Sequence, residues 1–117
     1  MANDKQKVLI TGGAGLIGSI MIDKLGDKYE FSSLDLREAA GIKSTVANLD
    51  DLDAMSPAFE GIDTVVHLAA DRSPAGSWES ILQNNFIATY NVFEASKRAG
   101  VKRVVFASSN HAEGGYY

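Results

Sequence analysis

The chain has no cysteine, two prolines, two histidines and one tryptophan among its 117 residues. Without cysteine there is no disulfide framework, no thiolate nucleophile and no Cys-based zinc site, and two histidines alone cannot furnish a structural metal centre. No apolar run approaches the roughly 18 residues that a membrane helix needs, and the opening Met1-Ala2-Asn3-Asp4-Lys5-Gln6-Lys7 lacks a secretory pattern, so no membrane partner is expected and the cytoplasm is the default compartment. Basic residues are also few. Eleven Lys and Arg against fifteen Asp and Glu give a net charge of −4, with the cations scattered rather than gathered into a stripe, which argues against nucleic acid as a partner. An anionic small molecule stays possible, because such ligands are held by a few local donors. What is present is 45% hydrophobic residues, enough for one globular α/β domain spanning residues 1–117.

Apolar runs alternate with amphipathic stretches along the whole chain, with no repeat, linker or low-complexity tract. Residues 7–10 read as a strand stopped by Thr11-Gly12-Gly13, and Leu16, Ile17, Ile20, Met21 and Leu25 recur at helical spacing over 16–25. Strands are expected at 30–36, 44–47, 64–70 and 101–107. A short helix is marked by Leu52, Met55 and Phe59, capped from within 48–51 and closed by Gly61, and a long one spans 77–99. The run 64–70 is nearly all apolar, as expected when both faces of a parallel strand are buried. Strands joined by helices, without tight hairpins, predict right-handed crossovers and a doubly wound parallel sheet in the order 3-2-1-4-5. The Val104-Val105-Phe106 strand is then an apolar sheet edge. We therefore expect these residues to be the front of a longer chain whose C-terminal part is missing here, or the edge to be covered by another copy in a homo-oligomer.

Thr11-Gly12-Gly13-Ala14-Gly15-Leu16-Ile17-Gly18 satisfies two glycine frames, Gly12-x-x-Gly15-x-x-Gly18 and Gly13-x-Gly15-x-x-Gly18. Placed between a strand and a helix, both point to a Rossmann-type dinucleotide site: a tight turn, backbone without Cβ where the pyrophosphate sits, and a helix whose free N–H groups and positive dipole end face the anion. A P-loop is excluded, since no Lys-Ser or Lys-Thr follows Gly18. Asp35, about twenty residues on, is placed to accept the adenosine ribose hydroxyls and to repel a 2′-phosphate, favouring NAD; Arg37 is near enough to pair with such a phosphate and softens that preference.

Further polar residues fall at strand ends on the same sheet edge: Asn48-Leu49, Ala69-Ala70-Asp71-Arg72-Ser73 and Ser108-Ser109-Asn110-His111. Small Ala69 and Ala70 allow close approach of a cofactor, while Arg72, Ser73, Asn110 and His111 offer donors to hydroxyls or a carboxylate. Three features read more simply as structural. His67, inside an apolar strand, is expected to be a hydrogen-bonded core residue and not a base. Asp50, Asp51 and Asp53 precede a short helix and read as a cap, not a metal site. Ser109, His111 and Asp71 lack a Gly-x-Ser-x-Gly elbow, so a hydrolase triad is not supported.

Together, Thr11 to Gly18, Asp35, His67-Leu68-Ala69-Ala70, Asn84-Asn85 and Val105-Phe106-Ala107-Ser108-Ser109 resemble the extended short-chain dehydrogenase/reductase superfamily, the NAD-dependent epimerase/dehydratases. The stretch from Phe106 to Gly114 resembles most the uronate dehydrogenases and related sugar dehydrogenases. The resemblance implies an NAD-dependent oxidoreductase that oxidises a sugar or uronic acid at its anomeric carbon, giving a lactone. It implies that Ser109 is the catalytic serine holding the reacting oxygen, with Asn110, His111, Ser73 and Arg72 on the substrate. The cofactor set it implies is Gly12, Gly15, Leu16, Ile17, Gly18, Asp35, Leu36, Arg37, Asn48, Leu49, Leu68, Ala69, Ala70 and Asn85. Asn48 stands where the family usually carries Asp, yet an amide oxygen can still accept the adenine amino proton. The family's Tyr-x-x-x-Lys pair is absent, and neither Tyr116 nor Tyr117 is followed by lysine, so these residues alone are expected to be inactive. A nucleotide-sugar epimerase or dehydratase and a non-catalytic NAD-binding module are the alternative readings.

Overall fold

In the computed structural model, residues 5–39, 41–68 and 78–106 are described. They form β1 (Gln6–Thr11), α1 (Leu16–Leu25), β2 (Tyr29–Asp35), β3 (Lys43–Val46), α2 (Leu52–Met55), a 3-10 turn (Ser56–Phe59), β4 (Thr64–His67), α3 (Trp78–Ala99) and β5 (Arg103–Phe106). The five strands make one parallel sheet in the order β3-β2-β1-β4-β5, as the alternating pattern predicts. Register puts Thr11 beside Leu34 on one flank and beside His67 on the other, so the C-terminal ends of β1, β2 and β4 meet at one edge of the sheet.

β1 is central with β2 and β4 on either side, and the burial follows: Leu9, Ile10, Leu34 and Val65 are fully buried. Because side chains alternate across a strand, each strand feeds both faces. Leu9, Leu34 and Val65 pack on Met55, Phe59, Val92 and Ala95 beneath α2, the 3-10 turn and α3. Val8, Ile10, Phe31 and Val66 pack on the opposite face against Met21, Ile22 and Leu25 of α1. Helices on both faces of a parallel sheet make the doubly wound arrangement.

Local chemistry sets the helix limits. Asp51 caps α2 by accepting from the Ala54 N–H at 3.1 Å, the role expected of that acidic cluster. The short helix expected around Leu52, Met55 and Phe59 is in fact two pieces, because Pro57 has no N–H to continue an α-helical ladder and the chain tightens into a 3-10 turn. Gly100, at φ +76°, takes a conformation that side chains disfavour, and there the Val101 N–H returns to the Ser96 carbonyl at 3.0 Å to close α3. The residues 69–70 and 107 of the expected fourth and fifth strands, and Ser77 of the long helix, lie outside the described residues. Val105 and Phe106 on the edge strand are 48% and 52% exposed.

Candidate cofactor site

At the sheet edge where β1 ends, residues 12–15 bend the chain into α1. Gly12 has φ +83°, and its N–H donates to the Leu34 carbonyl at 2.9 Å, tying the turn to β2. The Gly15 N–H donates to the Gly12 carbonyl at 3.0 Å. A Cβ on Gly18 would stand 2.8 Å from the Gly12 carbonyl oxygen and from the Gly13 Cα, so α1 rests on the turn with no side chain between them. Gly13 faces away: a Cβ there would lie 2.7 Å from the Ser33 Cβ. Of the two glycine frames, 12-15-18 borders the cleft, and Gly13 is a packing position against β2.

Gly15 is the N-cap of α1; its extended backbone brings no side-chain cap, and the first turn of the helix carries no acidic residue. The N–H groups of the first turn thus have no intrahelical acceptor and no capping carboxylate, and Leu16, Ile17 and Gly18 border the cleft. Such a helix end is an anion site by its donors and its dipole together.

Asp35, at the end of β2, accepts from the Ala14 N–H through Oδ2 at 3.1 Å and from the Leu36 N–H through Oδ1 at 2.6 Å. The carboxylate therefore clamps the turn while facing the cleft, and each oxygen keeps a further acceptor position for a diol. Arg37 reaches the Ala14 carbonyl with Nη2 at 3.5 Å, so the turn residue between the glycines is held from both sides. Ala47, Asn48, Leu49 and Asp50 form another wall. The Asn48 Oδ1 accepts from the Asp50 N–H at 3.1 Å, closing a local turn. Among the described residues, Leu68, Asn85 and Ala88 form the remaining wall of the cleft, whose volume is about 720 Å³, inside the range of roughly 300–1,000 Å³ typical of small-molecule sites.

Two buried residues lie behind this cleft. Asn91, only 8% exposed, donates from Nδ2 to the Leu49 carbonyl at 2.8 Å and so pins the 47–50 wall to α3. Sequence reasoning missed it, since its partner is 42 residues away and nothing local marks it. His67 is 4% exposed, as expected of a core histidine, with Thr11 Oγ1 2.6 Å from Nδ1 and Thr89 Oγ1 3.3 Å from Nε2. Burial pushes its pKa below the ordinary 6.5, which favours the neutral ring.

The cofactor residues expected at Gly12, Gly15, Leu16, Ile17, Gly18, Asp35, Leu36, Arg37, Asn48, Leu49, Leu68 and Asn85 all border this one cleft. Ala69, Ala70, Arg72, Ser73, Ser109, Asn110 and His111 lie outside the described residues. The described part thus brings helix-terminal N–H donors beside a carboxylate acceptor, the pairing that a dinucleotide's diphosphate and ribose diol require.

Comparison with known proteins matches residues 8–115 to the NAD dependent epimerase/dehydratase family. An L-arabinose 1-dehydrogenase (NAD(P)(+)) of Haloferax volcanii is 40% identical over 105 residues, 90% of this chain and 41% of its own length. An NAD-dependent glucose-6-phosphate dehydrogenase of the same organism is 38% identical over 120 residues, 95% of this chain and 46% of its own. Among solved structures, a mutant uronate dehydrogenase from Agrobacterium tumefaciens complexed with NAD is similar with a TM-score of 0.77 and 37% identity, covering 92% of this chain and 42% of that one. The chain spans less than half the length of these relatives.

Proposed function

The chain belongs to the NAD-dependent epimerase/dehydratase family, and from that premise we propose that it is the cofactor-holding portion of a dehydrogenase that oxidises a free sugar or uronic acid at the anomeric carbon. The observation that carries the reading is the meeting of an uncapped α1 terminus, a glycine-rich turn and the Asp35 carboxylate in one cleft. The N–H groups at the start of α1 bind the diphosphate, and Asp35 accepts the adenosine ribose hydroxyls. Asn48 and Leu49 flank the adenine, and Leu36 and Arg37 border its ribose. Leu68 and Asn85, on the cleft, and by the family resemblance Ala69 and Ala70, belong to the same cofactor set. Bound NAD supplies a hydride acceptor. Ser109 holds the reacting oxygen of the sugar, while Arg72, Ser73, Asn110 and His111 bind its hydroxyl or carboxylate groups. Similarity to an arabinose dehydrogenase and a uronate dehydrogenase, each named for a sugar without a nucleotide, supports a free-sugar substrate.

The test is a titration of the gene product carrying this chain with NAD and a panel of aldoses, uronic acids and UDP-sugars, followed by absorbance of the reduced nicotinamide. Net reduction by free sugars supports the proposal. Turnover of UDP-sugars without net reduction assigns an epimerase instead, and binding without turnover a non-catalytic module. Absence of NAD binding removes the cofactor assignment itself.

A further inference from the structure

Thr11, His67 and Thr89 form a line of side chains that does not border the cleft. Thr11 is fully buried and His67 nearly so; the spacings along the line are 2.6 Å from Thr11 Oγ1 to Nδ1 and 3.3 Å from Nε2 to Thr89 Oγ1. The three come from β1, β4 and α3. Each is one peptide bond from a cleft wall: Thr11 precedes Gly12, His67 precedes Leu68, and Thr89 follows Ala88. The Leu68 N–H ties two of these together, donating to the Thr11 carbonyl at 3.0 Å and to its Oγ1 at 3.1 Å.

The direction of the bonds follows from what each atom can give. Thr11 Oγ1 accepts from the Leu68 N–H and lies 2.6 Å from Nδ1, toward which a hydroxyl can turn its single proton. With Nδ1 an acceptor, the neutral ring carries its proton on Nε2, where it donates to Thr89. The edge of the Phe106 ring, 5.3 Å away between centroids, closes a further side of the imidazole. An aliphatic residue at position 67 would fill the same space in an otherwise apolar strand, but it would strip both threonine hydroxyls of this partner. We infer that His67, as the neutral Nε2–H imidazole, is a positioning residue that sets the spacing of the glycine turn, the end of β4 and α3 across the cleft. Only the identity of the ligand rests on the proposed function; the positioning itself does not.

The experiment compares the unmodified gene product with Thr89→Val, which removes the hydroxyl, and Thr89→Ser, which keeps it. Long-range proton–nitrogen NMR at neutral pH is expected to show Nε2 protonated and Nδ1 bare. Thr89→Val is expected to shift the Gly12 and Leu68 amide resonances, on the far side of His67, and Thr89→Ser to leave them near their original positions. NAD dissociation constants should rise about threefold to tenfold in the valine variant and stay within about twofold in the serine variant, the range of one lost hydrogen bond. An Nδ1–H ring, a charged ring, or unmoved Gly12 and Leu68 resonances in Thr89→Val would overturn the inference. Should the valine variant not fold, Thr89→Ala, which also removes the hydroxyl, carries the same amide readout, while the tautomer is read on unmodified protein. Absence of NAD binding by the unmodified protein would sink the functional reading, while the tautomer and amide shifts still decide this one.

Discussion

Replacing Gly18 by alanine adds one methyl group where α1 rests on the turn that precedes it. The new Cβ would stand 2.8 Å from the Gly12 carbonyl oxygen and the Gly13 Cα, both backbone, about 0.6 Å short of the 3.4 Å at which ordinary contact begins. Two effects oppose each other in stability: alanine gains about 1 kcal/mol of helix propensity over glycine, and overpacking costs about 1–3 kcal/mol. The net change in folding is therefore small, from nothing to a loss of about 2 kcal/mol. Affinity has no such compensation. If the displaced turn forfeits one hydrogen bond to a charged phosphate oxygen, about 1.5–3 kcal/mol is lost, a tenfold to hundredfold weaker NAD complex by order of magnitude. Calorimetric titration with NAD measures this, with a thermal melt to separate binding from folding. Ser19→Ala is the control, one residue further along the helix, where the exposed hydroxyl donates to the Gly15 carbonyl at 2.7 Å. It should bind NAD within about twofold of the parent, since a lone exposed hydrogen bond contributes little. A Gly18→Ala protein that binds as tightly as the parent would refute the idea that this turn receives the diphosphate.

Asp35→Asn should weaken NAD binding about tenfold and narrow the gap between NAD and NADP, because an acceptor for the ribose diol and the charge opposing a 2′-phosphate go together while Arg37 remains; parallel titrations with the two cofactors check it. Asn91→Ala removes the donor to the Leu49 carbonyl and should cost about 1–3 kcal/mol in denaturant unfolding, with a looser adenine wall and weaker NAD binding. The lowered pKa of His67 fixes a sign for pH dependence: the unfolded chain takes up a proton below about 6.5 while the folded chain resists, so stability rises with pH between the depressed folded value and 6.5 and levels off above. Unfolding free energies across that window should show the slope in the parent and a smaller one in His67→Gln; an unchanged slope would assign it to other groups.

Sheet order was legible in the residues because alternation of β-branched runs with helical spacing leaves few ways to wind a parallel sheet. α1 matches its expected limits, Leu16–Leu25, since glycine before and after it and an apolar period within it agree. The buried face of α3 was not legible. Its most apolar row, Phe86, Tyr90 and Phe93, is 73%, 59% and 48% exposed, while Asn91, Val92, Ala95 and Ser96 face the core. Periodicity locates a helix, but which stripe turns inward depends on the surface it meets, here a sheet face that Leu9, Leu34, Met55 and Phe59 already fill. The same holds for the site. The glycine turn and Asp35 are local motifs and could be placed from spacing alone. The clamps that shape the cleft, Asp35 on Ala14, Asn91 on Leu49 and His67 between two threonines, join residues 21 to 56 positions apart and leave no local mark.

The contact between Gly13 and Ser33 carries an evolutionary consequence. One small volume is shared by two positions twenty residues apart: a Cβ at 13 would sit 2.7 Å from the Cβ that Ser33 already places there. Bulk can therefore enter at only one of them. In a library randomised at both sites and selected for folding, the surviving pairs should trade size against size, and a methyl at 13 should be tolerated chiefly where 33 has given up its own.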